Sequence, residues 1–149
     1  YQFPEKLIPN FTIRLINAEN MTLYRSSKNK REWLHVLDHG HAINLILTQG
    51  KVGETYNVGS GIELDIEAIA DMLLEIFGLG SVYKTYVPDR PGHDRRYLLD
   101  TSRIQRELGW RPQIDFETGF RQTVEWYRTH HDWCQVLMNR LSVNESSWK

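Results

Sequence analysis

The stretch ETYNVGSGIELDIEAIADMLLEIFG, residues 54–78, contains the alternation of elements that decides the fold class. Its first five residues are rich in β-branched and aromatic side chains, which predicts a strand over 54–58 that ends in a Gly-Ser-Gly turn. Asp65 predicts a helix N-cap, and apolar residues at helical spacing follow it up to Gly78, a typical helix stop. Another strand is predicted over 81–87, SVYKTYV. Strand, helix and strand in this order indicate an α/β fold.

Similar signals predict the elements on either side. Near the N-terminus Pro4 and Pro9 bracket a helix start, and apolar residues then recur at i, i+4 and i+8 (Leu7, Phe11, Leu15). The next predicted elements are a strand at 21–24, a strand at 33–37 (WLHVL) and a helix capped by Asp38. The last ones are a short helix from Thr101 or Ser102 to Gly109, a last long helix over roughly 116–130 opened by Asp115 or Thr118, and a frayed polar tail at 142–149.

Composition excludes several classes of function. The 149 residues carry 18 Lys and Arg against 19 Asp and Glu, so a net charge of −1 provides no overall field for nucleic acid or an anionic membrane. No apolar run approaches the roughly 20 residues that a membrane-spanning helix needs. Cys134 is the only cysteine, which excludes an internal disulfide and predicts a cytoplasmic, reducing environment. The strands are few, and the first residue is Tyr1 rather than Met, so we expect a fragment of a longer protein.

The segment DRPGHDRRY, residues 89–97, concentrates charge around a Pro-Gly corner. A diphosphate requires fixed, forked donors, and Arg90 with His93 beside it is the strongest candidate for such an anion site. The alternative is a solvated corner in which the charges pair with one another. For Arg95 and Arg96 we favour that alternative, with the neighbouring aspartates as their partners (Asp89, Asp94, Asp100).

Three histidines in HVLDHGH raise the possibility of a metal site. His35 lies on the predicted strand, whereas His39 and His41 lie in the first turn of the predicted helix. Residues at i and i+2 do not share a helix face, so these side chains are not a clean ligand set. We therefore predict no metal site.

Five segments together resemble a known family. GETYNVGSG (53–61) and LGWRP (108–112) resemble general marks of nucleotide-sugar enzymes of the extended short-chain dehydrogenase/reductase superfamily. YQFPEKLIP (1–9), REWLHVLDH (31–39) and DRPGHDRRY are similar to the dTDP-glucose 4,6-dehydratases, and the resemblance runs from Tyr1 to about Trp133. It implies that residues 1–149 are the C-terminal, nucleotide-sugar-binding portion, a mixed helix and short-strand α/β part that lacks most of the Rossmann sheet.

The resemblance also implies an activity for the whole enzyme. It would be an NAD-dependent lyase of deoxysugar biosynthesis and a homodimer, converting dTDP-glucose to dTDP-4-keto-6-deoxyglucose by oxidation at C4, loss of water across C5–C6 and return of the hydride to C6. The family's Gly-rich NAD loop and Tyr-x-x-x-Lys pair belong to the N-terminal half. The Gly-Ser-Gly turn lacks the full spacing of the NAD loop. Tyr83 and Lys84 are adjacent and so lack the spacing of the Tyr-x-x-x-Lys pair, and we do not assign Tyr24 and Lys28, at i and i+4, to that pair either. We therefore expect no catalytic residue, no bound NAD and no activity in this portion alone.

Seven positions match family residues that contact the dTDP-sugar substrate: Lys6, Leu7, Tyr24, Arg31, Asn57, Arg90 and His93. Lys6 is predicted in the first turn of a helix, where free backbone N–H groups favour an anion. An aromatic ring such as that of Tyr24 can stack on a base. Where the family has Pro-Ile-Tyr-Gly this chain has TLYR (22–25), so the preference for thymine stays open.

Other readings remain open beside the dehydratase. The chain can be a free-standing, non-catalytic module that kept a sugar-nucleotide site, or a structural domain in which Arg90 and Lys6 are ordinary surface charges. Within the enzyme class the alternatives are an epimerase, a decarboxylase or a dehydratase acting on a UDP-sugar.

Overall fold

The computed structural model describes residues 2–89, 91–92 and 94–145, with side chains described as far as residue 138. The regular elements in this part of the chain are α1 (Leu7–Ile16), β1 (Met21–Tyr24), β2 (Lys30–Glu32), α2 (Val36–Gln49), β3 (Glu63–Asp65), α3 (Ile66–Phe77), β4 (Lys84–Val87), α4 (Ser102–Leu108), α5 (Phe116–Thr129) and α6 (His131–Glu145). The predicted mixture of helices and short strands is therefore confirmed.

The strands pair two by two within the described residues. β1 runs parallel to β4, with Met21 opposite Lys84 and Tyr24 opposite Val87. β2 runs antiparallel to β3. Because parallel strands end at the same edge, the chain leaves β1 and β4 side by side, and the segments that follow both strands are held close together.

Local signals placed both ends of α3 and the start of α5 correctly. The Asp65 carboxylate accepts a hydrogen bond from the Ala68 backbone N–H at 2.7 Å, and α3 ends at Gly78 with a φ of 65°, a left-handed conformation that favours glycine. Asp115 caps α5 in the same way through the Thr118 N–H, at 3.0 Å. These caps satisfy backbone donors that have no partner within the helix.

The largest apolar cluster lies where α1, α3 and α5 pack on β1. Its fully buried side chains come from one face of each element (Phe11, Leu15, Met21, Leu23, Ile69, Leu73, Phe120, Val124). A second cluster joins α2 to α4 through Ala42, Ile104 and Trp110. The helices therefore form the layer that holds the two short sheets in place.

The predicted strand at 33–37 is wrong, and so is Asp38 as the cap of the following helix. The strand lies earlier, at 30–32, and α2 begins at Val36 with His35 as N-cap, whose Nδ1 accepts from the Leu37 N–H at 3.3 Å. Asp38 is 3% exposed, and its carboxylate instead accepts from the backbone N–H groups of Gln113 at 2.9 Å and Ile114 at 3.1 Å. A long-range role therefore replaced the predicted local one.

The predicted strand at 54–58 is also wrong, because these residues form no ladder with any described strand. Side chains hold the segment on α4 instead: the Tyr56 hydroxyl donates to the Glu107 carboxylate at 3.0 Å, and the Arg103 guanidinium donates to the Thr55 carbonyl at 3.3 Å. The prediction for 81–87 is right only in part, since 81–83 form a 3₁₀ turn before β4.

The helix over 116–130 is not the last one, because α6 follows it directly. α6 includes residues 142–145 of the expected frayed tail, whereas 146–149 lie outside the described residues. α6 packs on the rest of the chain through Cys134, which is fully buried beside Ile13 and Tyr127. Of the described helices, none has the length and apolar character needed to cross a membrane.

Candidate functional site

The segment after β1 is tied to the segment after β4. The Arg25 N–H donates to the Val87 carbonyl at 3.1 Å, and the Ser26 N–H donates to Asp89 Oδ1 at 2.6 Å. Tyr24, the predicted base-stacking residue, lies at the end of β1 beside these contacts, with 37% of its surface exposed. The structure thus places Tyr24 next to the start of the DRPGHDRRY segment.

β2 contacts the other end of the same segment. The Lys30 N–H donates to the Arg95 carbonyl at 2.9 Å, and the guanidinium of Arg31 lies over the Tyr97 ring, 4.9 Å from its centroid. This cation–π contact orients the Arg31 side chain while leaving its charge available. Arg31 is therefore beside the charged segment, as its predicted role requires.

Asn57 meets the chain just beyond that segment. Its side-chain amide donates to the Asp100 carbonyl at 3.1 Å. Tyr24, Arg31 and Asn57 thus come from distant parts of the sequence, and the segment of each one is bonded to residues 89–100. Arg90 and His93, the two strongest predictions, lie outside the described residues.

Lys6 and Leu7 lie at the start of α1. Lys6 is the N-cap residue rather than part of the first turn, and its exposed Nζ forms an ion pair with Glu5 at 2.8 Å. Leu7 is half-buried and packs against the core cluster of α1, α3 and α5. Of the two, only Lys6 presents a charge to solvent.

Arg96, one of the charges around 89–100, has a partner that was not predicted. Arg96 bonds to Glu63 of β3, at 2.7 Å, and not to a neighbouring aspartate, while Asp89 bonds to a backbone N–H. The guanidinium of Arg96, hydrogen-bonded to Glu63, lowers the pKa of that carboxyl below its ordinary value. Asp100 accepts from the Ser102 N–H at 2.9 Å, and this bond lowers the pKa of Asp100. In these contacts Asp89 and Asp100 accept from backbone N–H groups, and Arg96 pairs with β3.

Sequence reasoning missed a carboxylate in β2, Glu32. Its Oε1 accepts from the Gly61 N–H at 2.7 Å, and its Oε2 accepts from the Leu99 N–H at 3.1 Å. The Glu32 carboxylate thus accepts from the Gly61 N–H, which is the donor that a phosphate would use in the Gly-Ser-Gly turn. The described residues of this turn therefore do not fit the diphosphate of NAD. No local pattern points to Glu32, because its partners are about 30 and 70 positions away.

A second missed group is Glu67, in the first turn of α3. Its carboxylate accepts from Lys84 Nζ at 2.6 Å, from the Ser27 hydroxyl at 2.6 Å and from the Tyr86 hydroxyl at 2.5 Å. Burial opposes ionisation of Glu67, but the bonds from Lys84, Ser27 and Tyr86 outweigh it and lower its pKa to about 2. Through Ser27 this network holds the turn that follows Tyr24.

Tyr24 and Lys28 match the i, i+4 spacing of a Tyr-x-x-x-Lys pair, but they do not lie on one helix. Such a spacing brings two side chains to one face only on a helix. Here Tyr24 ends a strand and Lys28 lies in the following turn, where its Nζ is 3.7 Å from the Asp65 carboxylate. The histidines likewise form no cluster: within the described residues, no three His, Cys, Asp or Glu side chains are grouped to hold a metal ion.

A cavity of about 350 Å³ lies between the start of α1, the β2–α2 connection and the start of α5, and Ser60 of the Gly-Ser-Gly turn is part of its lining. Its walls are largely apolar and include Ile8, Trp33, Ile62, Phe116 and Phe120. None of the described residues predicted to bind substrate lines it. An apolar wall does not suit a diphosphate, so the polar segments around 89–100 remain the better candidate site.

Comparison with known proteins identifies the family of the chain. The family model described as GDP-mannose 4,6 dehydratase matches residues 1–123. The dTDP-glucose 4,6-dehydratases of Streptomyces niveus and Salmonella typhimurium are each 46% identical, over 92% and 99% of this chain. These matches span only 41% and 42% of the relatives' own length.

Among solved structures, the dTDP-glucose 4,6-dehydratase of Streptomyces venezuelae, determined with NAD and a second ligand bound, superimposes with a TM-score of 0.90. It is 44% identical, and the match covers 92% of this chain and 42% of that one. The predicted resemblance is thereby confirmed in both sequence and fold. The chain belongs to the GDP-mannose 4,6 dehydratase family, as a portion similar to the dTDP-glucose 4,6-dehydratases.

Proposed function

We propose that this chain binds the nucleotide part of dTDP-glucose, and that the whole protein is an NAD-dependent dTDP-glucose 4,6-dehydratase, a lyase that forms dTDP-4-keto-6-deoxyglucose. One observation carries the proposal: the segments of Tyr24, Arg31 and Asn57 are all bonded to residues 89–100, the part of the chain that contains Arg90 and His93. Residues that a nucleotide-sugar site would use thus lie around one charged segment.

Each residue has a role that its chemistry allows. Arg90 would hold the diphosphate bidentately, and His93 would donate to a phosphate or ribose oxygen. The oriented guanidinium of Arg31 adds positive charge, and the Asn57 amide would bond to ribose or phosphate. The half-exposed ring of Tyr24 would stack on the base. Lys6 and Leu7, at the start of α1, would contact the sugar end.

The hydride chemistry would come from NAD, held by parts of the longer protein outside this chain. When bound there, NAD would accept the hydride from the sugar and return it. The Gly-Ser-Gly turn does not fit the diphosphate of NAD, because Glu32 accepts from its Gly61 N–H. The function proposed for this chain is therefore to bind and orient the nucleotide-sugar. We further propose that the whole protein is a cytoplasmic homodimer. The free, buried thiol of Cys134 is compatible with the reducing conditions of the cytoplasm.

The test is a calorimetric titration of the chain with dTDP, UDP and GDP, repeated for Arg90→Ala. Removing one charge-assisted contact should weaken dTDP binding by about 1.5–3 kcal/mol, or roughly ten- to a hundredfold. Arg121→Ala provides the control, because Arg121 pairs only with Glu117 among its described partners and lies on α5. Equal dTDP affinity in Arg90→Ala and the parent chain would remove the anion-site assignment.

A second candidate is a UDP-sugar as substrate. It is favoured by the TLYR sequence at the end of β1, which differs from the family's Pro-Ile-Tyr-Gly at the base pocket. The same titration separates the two: tighter binding of UDP than of dTDP would support the UDP-sugar. A third outcome, dTDP binding by a protein with no dehydratase activity at full length, would favour the non-catalytic module.

A further inference from the structure

Three segments that carry proposed binding residues meet at one carboxylate. Glu32 follows Arg31 in β2, and its two oxygens accept from the Gly61 N–H at 2.7 Å and the Leu99 N–H at 3.1 Å. The first partner closes the turn that follows Asn57, and the second lies just beyond the charged segment 89–97. Glu32 therefore joins all three segments with two charge-assisted hydrogen bonds.

The backbone is shaped for this contact. A Cβ on Gly59 would clash with the Glu32 carboxylate, coming within 2.6 Å of Oε2. A side chain at position 59 would displace the carboxylate from the place where it reaches the Gly61 N–H. Gly59 is thus explained by its close contact with the Glu32 carboxylate, and not by a phosphate.

Two other contacts join the same segments. The Asn57 amide reaches the Asp100 carbonyl at 3.1 Å, one residue beyond Leu99. The Arg31 guanidinium lies over the Tyr97 ring, two residues before it. A shift of either segment away from β2 would change the positions of Asn57 and Arg31 relative to each other.

Its neighbour across the sheet shows that Glu32 has a distinct environment. Glu63 lies directly opposite in the β2–β3 register, but its carboxylate pairs with the cations Arg96 and Lys30. Glu32 pairs with backbone N–H groups instead. Two adjacent carboxylates thus have different tasks: one neutralises surface cations, and the other fixes the backbone.

We propose that Glu32 is a positioning residue for the nucleotide site: its carboxylate holds residues 57–61 and 97–100 against β2, so that Arg31 and Asn57 address one ligand. The inference rests on the proposed function. It makes a graded prediction, because Gln keeps only one acceptor oxygen and would turn an NH₂ group towards the second N–H, whereas Asp keeps both acceptors on a shorter stem.

The experiment is a calorimetric titration of the chain with dTDP for the parent, Glu32→Gln, Glu32→Asp and the control Glu117→Gln, an exposed carboxylate on α5 that pairs with Arg121. Urea unfolding checks that each variant is folded. We expect Glu32→Gln to lose about ten- to a hundredfold in dTDP affinity, by analogy with the loss on removing a residue that orients metal ligands. Glu32→Asp should recover part of the loss, and the control should bind as the parent does.

A double-variant cycle adds a measurement of dTDP affinity that would not change if Glu32 had only a structural role. Gly59→Ala should weaken dTDP binding in the parent chain but cost less in the Glu32→Ala background, where the clashing carboxylate is absent. Failure of the proposed function appears as a parent chain that does not bind dTDP. Failure of this inference appears as a parent that binds while folded Glu32→Gln binds equally well, or as Gly59→Ala losses that are the same in both backgrounds.

Discussion

The network around Glu67 predicts a specific dependence of stability on pH. The carboxylate is 14% exposed and accepts three side-chain hydrogen bonds, which lower its pKa from an ordinary 4.5 to about 2. One pKa unit corresponds to about 1.4 kcal/mol, so the ionised group contributes about 3 kcal/mol to the free energy of unfolding. Because the folded pKa lies below the unfolded value, this contribution is fully present above pH 4.5 and is lost as pH falls towards 2.

The perturbation that isolates this group is Glu67→Gln. Urea unfolding at pH 7 should give a free energy of unfolding about 3 kcal/mol lower for the variant than for the parent. At pH 3 the parent has lost about 2 kcal/mol of the Glu67 contribution, so the difference should shrink to about 1 kcal/mol. Other carboxyl groups titrate in both proteins and cancel in the comparison.

Glu75→Gln is the matched control, since Glu75 is exposed on the same helix. It should change the free energy of unfolding by less than about 0.5 kcal/mol at either pH. A difference between parent and Glu67→Gln that stays constant from pH 7 to pH 3 would refute the reasoning, because it would show that the charge of Glu67 does not stabilise the fold.

Three further predictions concern the packing that supports the site. Asp38→Ala should lower the free energy of unfolding by about 2–4 kcal/mol in urea, because it leaves two backbone N–H groups of the α4–α5 connection without an acceptor; a loss below 1 kcal/mol would contradict this. Replacing a glycine by alanine usually stabilises a helix. In Gly119→Ala, however, the new Cβ would lie 2.9 Å from the ring of His35 and 3.0 Å from Ile114, so we expect this variant to have a lower melting temperature than the parent. Cys134 is fully buried and burial raises the pKa of its thiol, so Ellman's reagent should react with it only on unfolding, and prompt reaction of the native chain would show that α6 does not cover it.

Both ends of α3 and the start of α5 were predictable because their signals are local. Asp65 and Gly78 bound α3, and Asp115 opens α5, as capping chemistry within four residues requires. The strands were less predictable, since a strand exists only if another strand pairs with it. Residues 54–58 have suitable side chains but no ladder partner in the described part of the chain. Residues 33–37 are apolar because Trp33 and Leu34 pack into the core clusters, not because they form a strand.

The site residues show the same difference between local sequence signals and long-range contacts. Tyr24, Arg31 and Asn57 were predicted through motifs that resemble a family, and the structure brings their segments to one region. Glu32, Glu67 and the actual role of Asp38 were not found. Each acts through hydrogen bonds to residues far away in sequence, so neither composition nor periodicity indicates them.

The measurement that tests the central claim most directly is a map of backbone amide chemical shifts in the chain as dTDP is added. Our account predicts saturable shifts in residues 24–31, 57–61 and 89–100, and much smaller ones in Arg90→Ala. Shifts confined to the walls of the apolar cavity (Ile8, Trp33, Phe116) would place the ligand elsewhere. No shifts at millimolar dTDP would contradict the claim that this chain carries a nucleotide site of its own.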